Sequence, residues 1–100
     1  MEWDFENKDL LELYQTGKSR KYPPAVIKKF AARILQIDAA VDIFNLTKTN
    51  SLHFQELRNK NRHSIRVDKK WRLEFRIEWE DRNKTKVYFI YLNYQTITVV

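Results

Sequence analysis

Residues 62–79 read RHSIRVDKKWRLEFRIEW, and this stretch decides the fold. In its second half Trp71, Leu73, Phe75, Ile77 and Trp79 alternate without error against Arg72, Glu74, Arg76 and Glu78. A period of two sustained from 71 to 79 specifies a β-strand with one apolar and one charged face, because successive side chains leave a strand in opposite directions. Ile65 and Val67 against Ser64 and Arg66 repeat the pattern upstream. The polar Asp68-Lys69-Lys70 between the two runs has the length of a hairpin turn. The pair should present Arg66, Arg72 and Arg76 on a sheet surface, where a plain scaffold carries Thr or Ser. An arginine-rich open face of this kind is a candidate surface for phosphates.

Charge is concentrated in the same place. From Arg58 to Arg76 there are eight basic residues and two acidic ones, whereas the rest of the chain balances, eleven against eleven. The whole surplus of +6 therefore sits on one hairpin and its approach, as in a local anion-binding footprint. The plainer reading is a solvated face on a basic protein.

Other numbers exclude chemistry. A chain of 100 residues with 43% apolar content supports one domain, residues 1–100, with a small core. There is no cysteine, so disulfides, zinc ribbons and thiol catalysis are out. A single glycine, Gly17, removes phosphate loops and dinucleotide fingerprints, which need glycines for close backbone approach. Two histidines, His53 and His63, without cysteine or local carboxylate pairing argue against a metal site, so no cofactor is expected. The start, MEWDFENKD, lacks the basic-then-apolar pattern of a secretory signal, and the longest apolar run, Val87 to Leu92, is far short of a membrane span. A soluble, cytoplasmic protein is expected. Any chemistry must be done with Arg, Lys, His and Tyr.

Along the chain, Trp3 and Phe5 alternate with Asp4 and Glu6 as a short first strand. Asn7 is a good N-cap for a helix carrying Leu10, Leu11, Leu13 and Tyr14 that Gly17 stops. After Tyr22-Pro23-Pro24 a second helix places Ile27, Phe30, Ala31, Ile34 and Leu35 on one face and ends near Ile37 or Asp38, with a turn or short helical piece to Phe44. Leu52 and Phe54 alternate with His53 and Gln55 as a strand that turns His53 toward the arginines. The hairpin follows, then Val87–Tyr94, apolar on both faces and hence central, in which Tyr94 shares a face with Tyr88, Ile90 and Leu92. The tail from Thr96 is β-branched, suited to an edge strand or a partner. The expected fold is α+β, two helices on one face of a small twisted antiparallel sheet, in the order β-α-α-β-β-β-β.

Taken together, Lys21-Tyr22-Pro23-Pro24 before a basic amphipathic helix, Ile37-Asp38-Ala39-Ala40, Leu52-His53, Ser64-Ile65-Arg66-Val67, Trp71-Arg72 and Asn93-Tyr94-Gln95 resemble the RelE/HigB superfamily of bacterial type II toxins, its HigB-like branch, over roughly residues 3–95. The resemblance implies a ribosome-dependent mRNA endoribonuclease, neutralised by a helix-turn-helix antitoxin through which alone it would meet operator DNA. The chain departs from the pattern at four points. Arg58-Asn59 stands where a Lys-Gly pair is usual, His63 where an aromatic is, and Asn93 and Gln95 replace the acidic residue and histidine of the terminal motif.

Metal-free RNA cleavage needs a base for the 2′-hydroxyl, a cation for the phosphorane and an acid for the leaving 5′-oxygen. Arg72 and Arg66 suit the second role, since a guanidinium matches phosphate oxygens and stays charged, although cross-strand pairing with Glu74 is the plain alternative. Imidazole titrates near neutrality, which suits His53 to proton transfer. An amide cannot replace a histidine there, so the proton falls to His53, Tyr94 or His63 and not to Gln95. Arg58, Lys60, Arg62, Lys69, Lys70 and Arg76, with His63 and Gln95 beside them, are the candidate contacts to RNA or the ribosome. Lys18, Arg20, Lys21, Lys28, Lys29 and Arg33 suit ribosome contacts or mere solubility. Two other functions fit the same residues: a non-catalytic RNA- or ribosome-binding protein of this fold, and a partner-binding module on which the basic face is incidental. Phosphate contacts release counterions and weaken steeply with salt, which separates the last reading from the others.

Overall fold

The alternating run forms a strand, Trp71–Trp79, and becomes the middle of a five-stranded sheet in the computed structural model, which describes residues 1–57, 61–81 and 85–94. The elements in chain order are β1 (Glu2–Phe5), α1 (Lys8–Thr16), α2 (Pro24–Ala39), α3 (Ile43–Lys48), a 3-10 turn (Asn50–Leu52), β2 (Gln55–Leu57), β3 (Arg62–Arg66), β4 (Trp71–Trp79) and β5 (Thr85–Tyr94). In space the strands run β1-β5-β4-β3-β2. All neighbours are antiparallel except β1 and β5, which are parallel, so the sheet is mixed and not purely antiparallel. The long path through the helices brings β1 and β5 together, a connection that a sequence pattern does not reveal.

The α+β class and the helical layer stand as expected, with local differences. Asn7 caps α1 by accepting from the Asp9 N–H at 2.8 Å, and Gly17 ends it at φ +65°, a conformation glycine adopts without steric cost. In α2 the buried stripe is Val26, Ile27, Phe30, Ile34 and Ile37, while Leu35 is exposed. The piece after α2 is a true third helix, capped by Asp42, which accepts from the Asn45 N–H at 3.0 Å. His53 lies outside any strand. It follows the 3-10 turn with φ +46°, and pairing of β2 begins only at Gln55. Leu52 is buried there without strand geometry, because the turn itself points it into the core.

The helices cover the face carrying Ile65, Leu73, Phe75, Ile77, Val87 and Phe89, with Phe30 at the centre. Leu73 and Phe75 are wholly buried and Ile77 nearly so, whereas Trp79, at the strand's end, is half exposed. The β4–β5 register slips between Glu74 and Phe75: Leu73 pairs Leu92, Phe75 pairs Phe89, and Ile90 is the extra residue of a bulge. This slip reverses the faces on either side of Ile90. Tyr94 therefore shares its face with Leu92, Phe89 and Val87, and Tyr88 lies on the opposite one. The side chain of Asn7 donates to the bulged Ile90 carbonyl at 3.0 Å, so the residue that caps α1 also pins the bulge. The tail from Thr96 lies outside the described residues.

Candidate active site

The hairpin register places Arg66 directly across from Arg72 and Ser64 across from Glu74, all on the sheet face away from the helices. Two like charges in a facing pair cost stability on a sheet, and among the described residues neither arginine is in an ion pair. The two differ in surroundings. Arg72, expected on an open surface, is only 8% exposed. Its Nε donates to Ser64 Oγ at 2.9 Å, and its Nη2 donates to the Ser64 carbonyl at 3.2 Å and to the His53 carbonyl. Burial first, and then the charge of Arg66, push the Arg72 guanidinium down from its ordinary value. Arg66 is half-buried; its Nε donates to the Asp68 carbonyl at 3.2 Å and its Nη1 lies 3.1 Å from His53 Nε2. A guanidinium can only donate, so in this contact the imidazole accepts at Nε2 and carries its proton on Nδ1.

His53, Arg66 and Arg72 thus come together, although His53 reaches them from a left-handed turn and not from a strand. Two residues complete the cluster. Ser64 is 2% exposed and holds Arg72, and Arg33 of α2 donates from Nε to the Arg66 carbonyl at 2.9 Å. Ser64 reads in the sequence as a member of the Ser-Ile-Arg-Val motif with no role of its own, and Arg33 as a ribosome contact or a solubilising helix position. Only the register and the helix packing bring them here.

The remaining candidates lie elsewhere. Arg76 is neutralised: it donates to Glu6 at 2.9 Å and Glu78 at 3.1 Å, lies over the Tyr88 ring at 4.1 Å, and is raised from its ordinary value chiefly by the Glu6 hydrogen bond. Arg62 stands 3.5 Å from Glu74 in an ion pair that is not a hydrogen bond, and its buried Nη1 has no hydrogen-bond partner. Glu74 instead accepts from Asn93 Nδ2 at 2.9 Å. His63 is on the helix face, packed against Phe54 and Phe75 with ring centroids 5.6 and 5.8 Å away. Burial lowers its pKa, with Glu56 pulling weakly the other way. Lys69 and Lys70 rim a separate cleft with Lys29, floored by Pro23, Val26 and Trp71. Tyr94 is half exposed at the sheet's end, its ring edge-on to Trp71 at 5.4 Å. The β5 residues across from Arg72 and Glu74 on the arginine face are Asn93 and Tyr91, with Tyr88 and Lys86 farther along it, across from Arg76 and Glu78. Arg58, Lys60 and Gln95 lie outside the described residues.

Among the described residues no three His, Asp or Glu side chains gather as a metal site requires, and no helix is long and apolar enough to cross a membrane. What the cluster can do is hold an anion beside an imidazole.

A search of curated proteins finds no match to this sequence. Among solved structures, the chain is similar to a YoeB/ParE toxin from Agrobacterium tumefaciens, at 15% identity and a TM-score of 0.51, covering 95% of this chain and 96% of that one. At that identity the likeness speaks for the fold. The family model of HigB-like toxins, described as the RelE-like toxin of the type II toxin-antitoxin system HigB, matches residues 3–95. With a toxin fold around it and nearly the whole chain matched, this protein belongs to the HigB-like family of RelE-like type II toxins, whose members are paired with an antitoxin.

Proposed function

We propose that this toxin is a ribosome-dependent mRNA endoribonuclease working by metal-free acid–base catalysis, and that a helix-turn-helix antitoxin neutralises it. The observation that carries the reading is the facing pair Arg66 and Arg72, without a carboxylate partner among the described residues and with the His53 imidazole 3.1 Å from Arg66. A phosphate group taken up beside Arg66, the more exposed of the two, would relieve the repulsion between the cations, and its developing charge in the transition state would be stabilised more than its ground state. His53 Nε2, an acceptor in this arrangement, is positioned to take the 2′-hydroxyl proton once substrate replaces Arg66 as its partner. The leaving 5′-oxygen needs a donor on the far side of the phosphorus. With Tyr88 under Arg76, the β5 phenols left for it are Tyr91 on the arginine face and Tyr94, which is on the other face at the strand's exposed end.

Expression of the toxin should arrest growth, and mRNA should be cut in a translating extract. Arg66→Ala and His53→Ala should each relieve the arrest, with cleavage lowered by about 10²–10³-fold, the usual cost of losing one electrostatic or proton-transfer group. Tyr94→Phe and Tyr91→Phe, compared side by side, assign the acid. Full toxicity of stably expressed Arg66→Ala and His53→Ala variants would exclude this site as the centre of cleavage.

A further inference from the structure

Two arginines face one another in the cluster, yet their donors are spent differently. Arg72 is almost wholly buried, and the hydrogen bonds it makes go to neutral protein acceptors on two segments that are not adjacent in sequence: Ser64 on β3 and His53 after the 3-10 turn. Arg66 is the more exposed of the pair, with its Nη1 on the imidazole and only its Nε on a backbone carbonyl.

The backbone at His53 explains why such an anchor is needed. It is the only non-glycine residue with positive φ among those described, at +46°. A left-handed non-glycine residue is strained and persists only where its surroundings over-determine it. Here the restraints are the His53 N–H, which donates to the Asn50 carbonyl at 3.2 Å, and the His53 carbonyl, which accepts from Arg72. Turning this peptide unit swings the imidazole, because side chain and carbonyl share one Cα. Arg72 therefore acts on His53 through the main chain, while Arg66 acts on it through the ring.

We infer that Arg72 is a positioning residue, a clamp that with Ser64 locks His53 in its left-handed turn so that the imidazole meets Arg66, and that Arg66 alone is the phosphate-facing cation. The inference rests on the nuclease reading of the same cluster for what the site acts upon, but its geometry stands without it. Lysine should not substitute for Arg72. A single ammonium keeps the charge but cannot reach Ser64 Oγ, the Ser64 carbonyl and the His53 carbonyl together, as a planar fork does.

The test uses the full chain as wild type and as Arg72→Lys, Ser64→Ala and Arg66→Ala. Two readouts do not depend on cleavage: the imidazole ¹⁵N resonances of His53, which report its tautomer, and binding of a non-cleavable 2′-O-methyl dinucleotide. In wild type the ring should show the Nδ1–H form. Arg72→Lys should move it toward the mixture of a free histidine and leave dinucleotide binding within a few-fold, and Ser64→Ala should do the same more weakly. Arg66→Ala should abolish the binding. In the cleavage assay Arg72→Lys should lose up to about 10²-fold, the scale of a group displaced by about 1 Å.

An unchanged His53 spectrum in Arg72→Lys would overturn the clamp. So would loss of dinucleotide binding as complete as that of Arg66→Ala. Should Arg72→Lys not fold, an unchanged spectrum in Ser64→Ala would overturn it as well. If wild type cuts no RNA, the nuclease reading fails while the spectra still decide the clamp.

Discussion

Arg66 and Arg72 occupy one cross-strand pair, and the sequence treats them alike, as alternate members of a charged face. Their environments separate them, because one side chain folds back under its neighbours and the other does not. The same holds for the histidines. His53 is exposed beside a cation, whereas His63 is packed between aromatic rings with its Nδ1 buried and without a partner. Burial lowers the His63 pKa from 6.5, so the unfolded chain binds the proton more readily than the folded one. Stability contributed by neutral His63 should then be complete above about pH 6.5 and be lost as pH falls through that value toward the lower folded-state midpoint. Denaturant titrations at about pH 7.5 and about pH 5.5 should show this slope in wild type and a shallower one in His63→Phe, which keeps an aromatic ring but cannot titrate. Equal slopes would remove His63 as the source. None of these differences was legible in residue type. Two arginines and two histidines carry the same chemistry until packing sets solvent and neighbours.

At the scale of elements, the strand read from alternation is the sheet's middle strand, and its apolar face is core, because a slip of one residue would expose every side chain of that face. Leu73→Ala should cost about 2–5 kcal/mol, as buried leucine truncations do. A loss under about half a kcal/mol would contradict that burial. The bulge at Ile90 was not legible, since it falls within the unbroken apolar run Val87–Leu92, which carries no alternation to break. It matters nonetheless, because it turns Tyr91 and Asn93 to the arginine face and Tyr94 away. Asn7 tests the anchoring. Asn7→Asp keeps the cap on α1 but loses the donor to Ile90, whereas Asn7→Ala loses both. The alanine variant should be destabilised by about 0.5–2 kcal/mol more than the aspartate one, the value of an N-cap, and urea denaturation measures the difference.

For the whole molecule, the unpaired basic groups that the linear charge count merged lie, among the described residues, in two places: the His53–Arg66 cluster on the open face, and the lysine-rimmed cleft between the start of α2 and the β3–β4 turn. If the cleft lysines contact phosphates, Lys69→Ala and Lys70→Ala should flatten the salt dependence of binding to single-stranded RNA by about 0.7 in log–log slope for each phosphate no longer neutralised. They should leave cleavage of bound substrate intact. An unchanged slope, measured by titration at several salt concentrations, would show that the lysines only solubilise the turn.

By itself the sequence determined the strand at 71–79, its hairpin with 62–66, both long helices with the Asn7 and Gly17 ends of the first, and the α+β class. These follow from periodicity and capping, which act between residues close in sequence and leave their mark there. Alternation and charge made the arginines candidates, and the family pattern added weight to His53. The tertiary structure alone decided the parallel pairing of β1 with β5, the bulge, the left-handed turn at His53, and the burial of Arg72 against Ser64. Each depends on contacts between segments distant in the chain. A side chain's solvation and hydrogen-bond partners, and so its chemistry, are set only when those segments meet.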